Sequence, residues 1–328
     1  MVDVDMTLRA GIVGTGYAAR VRADALLLDE RSHLSAVAGR DYSRAVDFAR
    51  RYGIQPMDSW FDLVTADSID LVVVSTVSAL HGEVVEAALN AGKHVAVEYP
   101  LSLELAQAER LLLLAANQDL LLHVEHIELL GGLHRTMRSH LPEIGAPTYV
   151  SYRTLSPKHP APVKWSYRQD LFGFPFCGAL SRVHRLTNLF GAVASVDCCT
   201  RIDWKDDDSG YYRSILSSGR LQFTSGLIAE LTYGKGENIW TACRTIDAQG
   251  TQGSLAFSGN SGTLVTADGT HAVQAAPRKG LIALDTQAVL AHLTEGVALY
   301  VKAADSVYAL RVGDALRRAS SQGNTVTL

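Results

Sequence analysis

Read as a string of apolar and polar positions, the chain changes rhythm near its middle. The first part alternates short apolar runs with segments of helical spacing. Leu8 to Val13 predicts a strand, Ala18 to Leu28 a helix, and His33 to Ala38 a second strand. Ser43 to Tyr52 predicts a second helix, closed by Gly53 as its C-terminal cap. In Ile69 to Ser75 the apolar residues are consecutive rather than alternating, which predicts a strand buried on both faces. Helix at Ala79 to Asn90, strand at His94 to Glu98, helix at Ser102 to Asn117 and strand at Leu120 to Glu125 follow. This alternation predicts an α/β fold, a doubly wound parallel sheet with helices on both sides.

From about Gly145 the segments PTYVSYRTL, SVDCCTRIDW, YYRSILSS, RLQFTSG, LIAELTYG, CRTIDAQG, GSLAFSG and GTLVTA are short and separated by Gly, Ser, Asn and Asp. They predict an antiparallel meander. One helix, about Gly178 to Phe190, interrupts it, and Asp285 to Ser320 is again helical. The expected architecture is therefore a dinucleotide-type domain over residues 1–128, followed by an α+β domain with a large, mainly antiparallel sheet over 129–328.

Composition narrows the function classes. With 328 residues, 47% apolar and 20% charged, the chain has the material for two packed domains without a staple. Its net charge of −4 disfavours general nucleic-acid binding, which needs accumulated positive charge. No apolar run approaches the roughly 20 residues of a membrane span, and the start shows no signal-peptide pattern. Cys177, Cys198, Cys199 and Cys243 form no C-x-x-C pair, so reduced thiols in a cytoplasmic protein are expected, with no structural metal.

Gly14-Thr15-Gly16-Tyr17-Ala18-Ala19 is a G-x-G-x-x-A turn directly after the first strand and at the start of the first helix. That context defines a Rossmann-type phosphate site: Gly14 for the turn, Gly16 for close approach of a pyrophosphate, Ala19 for helix–strand packing. The second strand ends in Gly39-Arg40-Asp41-Tyr42-Ser43-Arg44. Where an NAD site usually carries an acidic residue there is Gly39, with Arg40 beside it. A guanidinium, helped by Ser43 and Arg44, suits a 2′-phosphate, so NADPH is expected, with NADH as the alternative because Asp41 could accept a ribose hydroxyl.

With Gly14–Ala19, Thr76–His81 and Glu98-Tyr99-Pro100 in place, the chain resembles the glucose-fructose oxidoreductase / inositol dehydrogenase family over nearly its whole length. That family usually carries Glu-Lys-Pro after the fourth strand, with the lysine catalytic, and Tyr99 stands in its place here. Its sugar dehydrogenases also carry an Asp and a His on one helix of the second domain, whereas the helix here reads Ala179-Leu180-Ser181-Arg182-Val183-His184-Arg185. These departures, with the block His123 to Gly132 (HVEHIELLGG), Phe172-Gly173-Phe174-Pro175, Tyr233 to Glu237 and Arg278 to Leu281, resemble the biliverdin reductase branch in its cyanobacterial form. The resemblance implies NAD(P)H-dependent reduction of a linear tetrapyrrole, biliverdin IXα to bilirubin, by hydride delivery to the central methine carbon. It also implies a role for Arg182 as the required arginine and places Thr76, His81 and Glu98 on the cofactor side.

The residues agree with a flat dianionic ligand. Between positions 158 and 185, Lys158, Lys164, Arg168, Arg182 and Arg185 face a single acid, Asp170, and are interleaved with Trp165, Tyr167, Phe172, Phe174 and Phe176. Arg182, Tyr99 and Glu98 are the candidate catalytic residues. Tyr99, Glu125, His126, Lys164, Trp165, Phe174, Arg182 and Arg185 are the candidate substrate contacts, with a surface ion pair the plainer role for Arg185. Arg182 polarises the ring system, holds a propionate, orients a water or donates directly; the sequence leaves these open. His123, Glu125, His126 and Glu128 look like a metal cluster, but strand alternation puts His126 on the opposite face from His123 and Glu125, so a hydrogen-bonded framework is expected instead. The rival readings are a sugar or cyclitol dehydrogenase and a non-catalytic NAD(P)/bilin sensor. The number of bilins held and the oligomeric state are not legible.

Overall fold

The computed structural model describes residues 7–206 and 209–328, which form two compact units. The first comprises residues up to Ile127 together with Gly280–Val307, the second Glu128–Lys279 with Tyr308–Leu328. A single boundary near residue 128 is thus too simple, because one later segment returns to the first unit.

The first unit is built on six parallel strands: β1 (Leu8–Val13), β2 (Ser32–Ala38), β3 (Gln55–Pro56), β4 (Leu71–Val74), β5 (His94–Val97) and β6 (Leu122–Val124), in the order β3-β2-β1-β4-β5-β6. The order reverses direction at β1, which is the switch point where such sheets bind ligands. Five helices connect the strands: α1 (Tyr17–Leu27), α2 (Tyr42–Tyr52), α3 (Trp60–Thr65), α4 (Ser78–Asn90) and α5 (Leu105–Asn117). All four residues of β4 are buried, as its run of consecutive apolar residues requires. Gly53 closes α2 in the left-handed conformation with φ of 67°. The sequence reading did not include α3, which is only six residues long. Its start is nonetheless written locally, because the Ser59 side chain accepts from the Asp62 amide and caps it.

In the second unit α6 (Gly132–His140) precedes a sheet of nine strands: β7 (Pro147–Pro157), β8 (Val193–Trp204), β9 (Tyr212–Phe223), β10 (Ile228–Gly236), β11 (Cys243–Gly250), β12 (Gly253–Ser258), β13 (Ser261–Thr266), β14 (Gly269–Gln274) and β15 (Val326–Thr327). The order is β14-β13-β12-β11-β7-β10-β9-β8-β15, and every pairing is antiparallel except β7 with β10. The expected meander is therefore a mixed sheet. The chain leaves β7 for a helical excursion and returns through β8 and β9, so β10 reaches β7 running the same way. The excursion contains α7 (Gln169–Phe172), α8 (Pro175–Gly178) and α9 (Ser181–Phe190), so the single helix expected at 178–190 is divided near Ala179.

Strand β9 alternates buried and exposed residues over most of its length, which gives the sheet one packed and one open face. Gly219 lies under Leu316 and Phe176, where a Cβ would come within 2.7 Å of the Leu316 side chain. Adjacent Cys198 and Cys199 on β8 fall on opposite sides of the sheet, one buried and one exposed. The expected final helix is two, α10 (Leu281–Glu295) and α11 (Ala303–Gln322), separated after Gly296 in the left-handed conformation. Val289 and Leu290 of α10 are buried in the Rossmann core with Ala19, Ala23 and Leu26 of α1, which is why this segment belongs to the first unit. Among the described residues no helix is long and apolar enough to cross a membrane.

Candidate active site

In the first unit the glycine turn has the geometry that a dinucleotide needs. Gly14 has φ of +131°, and a Cβ there would sit 2.3 Å from the Ser75 carbonyl oxygen, so β1 and β4 can approach only because this residue is glycine. Gly16 starts α1 with nothing within 4 Å of where its Cβ would be. The first turn of α1 carries no acidic residue and no side-chain cap, so its amides are left for an anion. Ala19 is fully buried against the sheet, while Thr15 and Gly16 are partly exposed and Tyr17 is 72% exposed. These residues fit a pyrophosphate.

At the end of β2, Asp41 is the N-cap of α2. Its Oδ1 accepts from the Ser43 amide (3.0 Å), the Ser43 hydroxyl (2.7 Å) and the Arg44 amide (3.4 Å). The Ser43 hydrogen bond, then the Arg44 amide, holds this carboxyl below its ordinary range. Asp41 is thus engaged with its own helix, and Ser43 with it. Arg40 and Arg44 are exposed, and Arg40 makes no hydrogen bond or ion pair among the described residues.

His81 departs from its expected place among the cofactor contacts. It is buried, with Nδ1 2.8 Å from the Pro100 carbonyl oxygen and Nε2 3.2 Å from that of Thr76. Burial lowers its pKa, so the neutral ring donates to one carbonyl at a time. Its work is to tie the loop after β4 to the one after β5, which carries Glu98 and Tyr99.

Those two residues rest on a buried polar frame. Arg22 of α1 is 1% exposed; its Nε donates to Glu98 Oε1 at 2.7 Å and one terminal nitrogen to Asp285 Oδ2 at 2.7 Å. Asp285 also accepts from His123 Nε2 at 2.7 Å and the Tyr300 hydroxyl at 2.7 Å. Tyr300 in turn accepts from the His126 amide at 3.0 Å. The His126 ring lies parallel to that of Tyr99 (9° apart, centres 5.3 Å) and its Nε2 is 2.8 Å from the Ser306 hydroxyl. Burial opposes the charge on Asp285, but Arg22 and His123 outweigh it and keep the carboxyl far below its usual range. Glu125 has the reverse outcome: burial, then the charges of Glu98 and Asp285, push its carboxyl well above the usual range. Its Oε1 accepts from the Ile127 amide at 2.8 Å, and its Oε2 has no partner among the described residues. His126 and Glu125 are both 1% exposed, so they are placed as supports of Tyr99 and the frame rather than as open substrate contacts.

In the second unit Arg185 corrects the surface-pair expectation. It is completely buried, donating to Glu128 Oε2 at 2.8 Å and to the Tyr152 hydroxyl at 3.0 Å. Glu128 also pairs with Arg244 at 3.2 Å and with Arg278. Burial works against its charge, but Arg185, Arg278 and Arg244 hold its pKa below the ordinary value. Arg185 is thus out of reach of a ligand and anchors α9. The position three before it, Arg182, is only half-buried; its guanidinium lies 5.0 Å from the Tyr233 ring centre and donates to the Ser181 hydroxyl at 3.2 Å. Trp165 is 38% exposed and tilted against Phe172, with ring centres 6.1 Å apart. Phe174, partly exposed, meets Phe176 edge-on at 6.0 Å. Lys164 is exposed, with Nζ 5.8 Å from the Tyr167 ring centre.

The structure therefore gathers the glycine turn, Arg40, Thr76, Glu98 and Tyr99 in one unit, and Lys164, Trp165, Phe174 and Arg182 in the other. It withdraws His81, Glu125, His126 and Arg185 into supporting roles. Sequence reasoning missed Arg22, Asp285, Tyr300 and the lysine of β10, Lys235. Arg22 had a legible signal, because it stands with Ala19, Ala23 and Leu26 at the i, i+3, i+4, i+7 positions of an apolar stripe. A charged residue there announces a buried partner, although the partner lies 263 positions away.

Residues 8–126 match the oxidoreductase family described as an NAD-binding Rossmann fold, and residues 142–328 match the same family's C-terminal alpha/beta domain. The chain belongs to this GFO/IDH/MocA family of oxidoreductases. Among solved structures it is similar to biliverdin reductase from Synechocystis sp. PCC 6803, in complex with biliverdin and NADP+. The identity is 43%, covering 96% of this chain and 100% of that one, with a TM-score of 0.94. Among curated relatives it is 34% identical over 170 residues to dTDP-3,4-didehydro-2,6-dideoxy-alpha-D-glucose 3-reductase of Actinomadura kijaniata, covering 51% of each chain. It is 29% identical over 190 residues to biliverdin reductase A of Homo sapiens, covering 56% of this chain and 59% of that one. The matches span between half and three fifths of these curated relatives.

Proposed function

We propose that this oxidoreductase is an NADPH-dependent biliverdin reductase. The observation that carries the reading is the end-to-end similarity to the Synechocystis enzyme, at a level of identity well above that of the sugar-reductase structures with the same fold. Local chemistry supports it. Tyr99 occupies the place of the lysine usual in the family, and the 179–185 segment carries Arg182 and lacks the Asp that sugar dehydrogenases carry on that helix.

The Gly14–Ala18 turn would hold the pyrophosphate and Arg40 with Arg44 the 2′-phosphate, so NADPH is preferred to NADH. When bound, the cofactor supplies the hydride. Lys164 and Arg182 meet the propionates or ring system of the pigment, and Trp165 and Phe174 offer faces for its conjugated plane. Reduction at the central methine carbon leaves electron density on a pyrrole nitrogen, which gains a proton. A guanidinium is a poor acid, so Arg182 acts by stabilising that charge.

The test is direct. Protein, NADPH and biliverdin are mixed and the visible spectrum followed. A green-to-yellow change with loss of NADPH absorbance is expected. Tight pigment binding without a colour change would reassign the chain as a bilin sensor, and no response to the pigment would leave a sugar reductase as the better reading.

A further inference from the structure

Lys235 lies on the buried face of β10 and is 7% exposed. Its Nζ sits 3.7 Å from the Phe172 ring centre, 4.8 Å from Tyr167, 5.4 Å from Tyr212 and 5.9 Å from Tyr233. It donates to the carbonyl of Ser166, which also accepts from the Tyr212 hydroxyl at 2.6 Å. Among the described residues it forms no ion pair. Two acids of neighbouring segments are engaged with other partners, Glu237 with the Ala161 amide and Arg213, and Asp170 with Arg168.

The charged groups that face Lys235 are both cations, Lys164 before the Trp165–Tyr167 turn and Arg182 of α9, and Arg182 shares the Tyr233 ring with it. The other titratable groups around it are the phenols of Tyr167, Tyr212 and Tyr233, and burial pushes all three above their ordinary value, out of the neutral range. A buried cation between two others, facing rings and no carboxylate, is electrostatically incomplete. Burial, then Lys164 and Arg182, brings its pKa down to about 7.

We infer that Lys235 is the proton-uptake group of the pigment site: when a dianionic tetrapyrrole binds, Lys235 takes up one proton from solvent and with Lys164 and Arg182 completes a cationic platform for its propionates. The inference rests on the pigment reading above. Charge balance gives it a purpose, since a second propionate brought against two cations is better answered by three. Lys235 is a positioning and charge-balancing residue here, set among the rings of Tyr167, Phe172, Tyr212 and Tyr233.

The experiment is calorimetric titration of biliverdin into the NADP+-loaded protein at pH 7.5, in phosphate and in Tris, whose ionisation enthalpies differ. The propionates are already ionised at this pH. The wild type is expected to take up roughly 0.5–0.8 proton per pigment, and Lys235→Met to take up close to none. Lys235→Arg, charged throughout, is expected to take up close to none while binding at least as tightly as the wild type at pH 8.5. At pH 6, Lys235→Met is expected to bind about tenfold more weakly than the wild type. Equal proton uptake by the wild type and both variants would overturn the inference while leaving the pigment reading intact. Absence of pigment binding by all three proteins at pH 6 would instead remove the pigment reading, and this inference with it.

Discussion

Each unit of the molecule buries cations, and Arg22 in one and Lys235 in the other are treated in opposite ways. Arg22 in the Rossmann unit meets two carboxylates, and although burial opposes its charge, Glu98 and Asp285 raise its pKa further. Lys235 in the second unit meets four aromatic rings and two cations, and is brought down to about 7. A guanidinium with its charges answered is permanent and serves as a fixture for the loop carrying Tyr99. An ammonium with none answered is conditional and responds to whatever anion arrives. The same physics, a charge removed from water, gives a frame in one place and a responsive site in the other.

The comparison breaks most severely at Arg22. Arg22→Ala would leave the buried Asp285 and the partly exposed Glu98 without their cation and is expected to destabilise the protein by about 3–5 kcal/mol, measured by denaturant unfolding. The acid side of the stability profile should move with it. Asp285 has a depressed pKa in the folded state, so its contribution is complete above the unfolded value of 3.8 and is lost as pH falls through the folded value. Without Arg22 that loss begins at a higher pH; an unchanged acid transition would show that Asp285 does not depend on it.

Next in size is Arg182→Ala, expected to lower turnover of biliverdin about 10²–10³-fold while leaving NADPH affinity within about twofold. Normal turnover would remove Arg182 from the chemistry. Arg40→Ala should raise the KM for NADPH about tenfold, as loss of one charge-assisted contact of about 1.5 kcal/mol does, and leave that for NADH unchanged. Equal effects on both cofactors would return Arg40 to the role of a solvated turn residue. The smallest effect is expected from Tyr99→Phe, which keeps the ring parallel to His126. Turnover within about threefold of wild type would assign Tyr99 to stacking, and a much larger loss would assign its hydroxyl to the reaction.

How much of this was legible depended on the range of the interaction that fixes each feature. The β1 turn was readable because Gly14 and Gly16 act through their own backbone over a few residues. Asp41 looked ambiguous in sequence, since the same Asp at a strand end can take a ribose or cap a helix, and three local hydrogen bonds decided for the cap. Arg182 and Arg185 read alike, one helical turn apart, yet one is half-exposed on Tyr233 and the other is sealed against Glu128. Nothing local to α9 distinguishes them; the difference is made by the segment Ile127–Leu129, where Glu128 sits.

By itself the sequence determined the change from alternating strands and helices to short strands, the nucleotide turn and the chemical character of the 158–185 segment, because hydrophobic periodicity and glycine conformations are properties of neighbours along the chain. Only the tertiary structure decided that β10 pairs in parallel with β7, that α10 returns to the Rossmann core, and that Arg22 is paired while Lys235 is not. Burial and charge compensation are set by residues from tens to hundreds of positions apart, and a side chain's protonation follows from that company rather than from its place in the sequence.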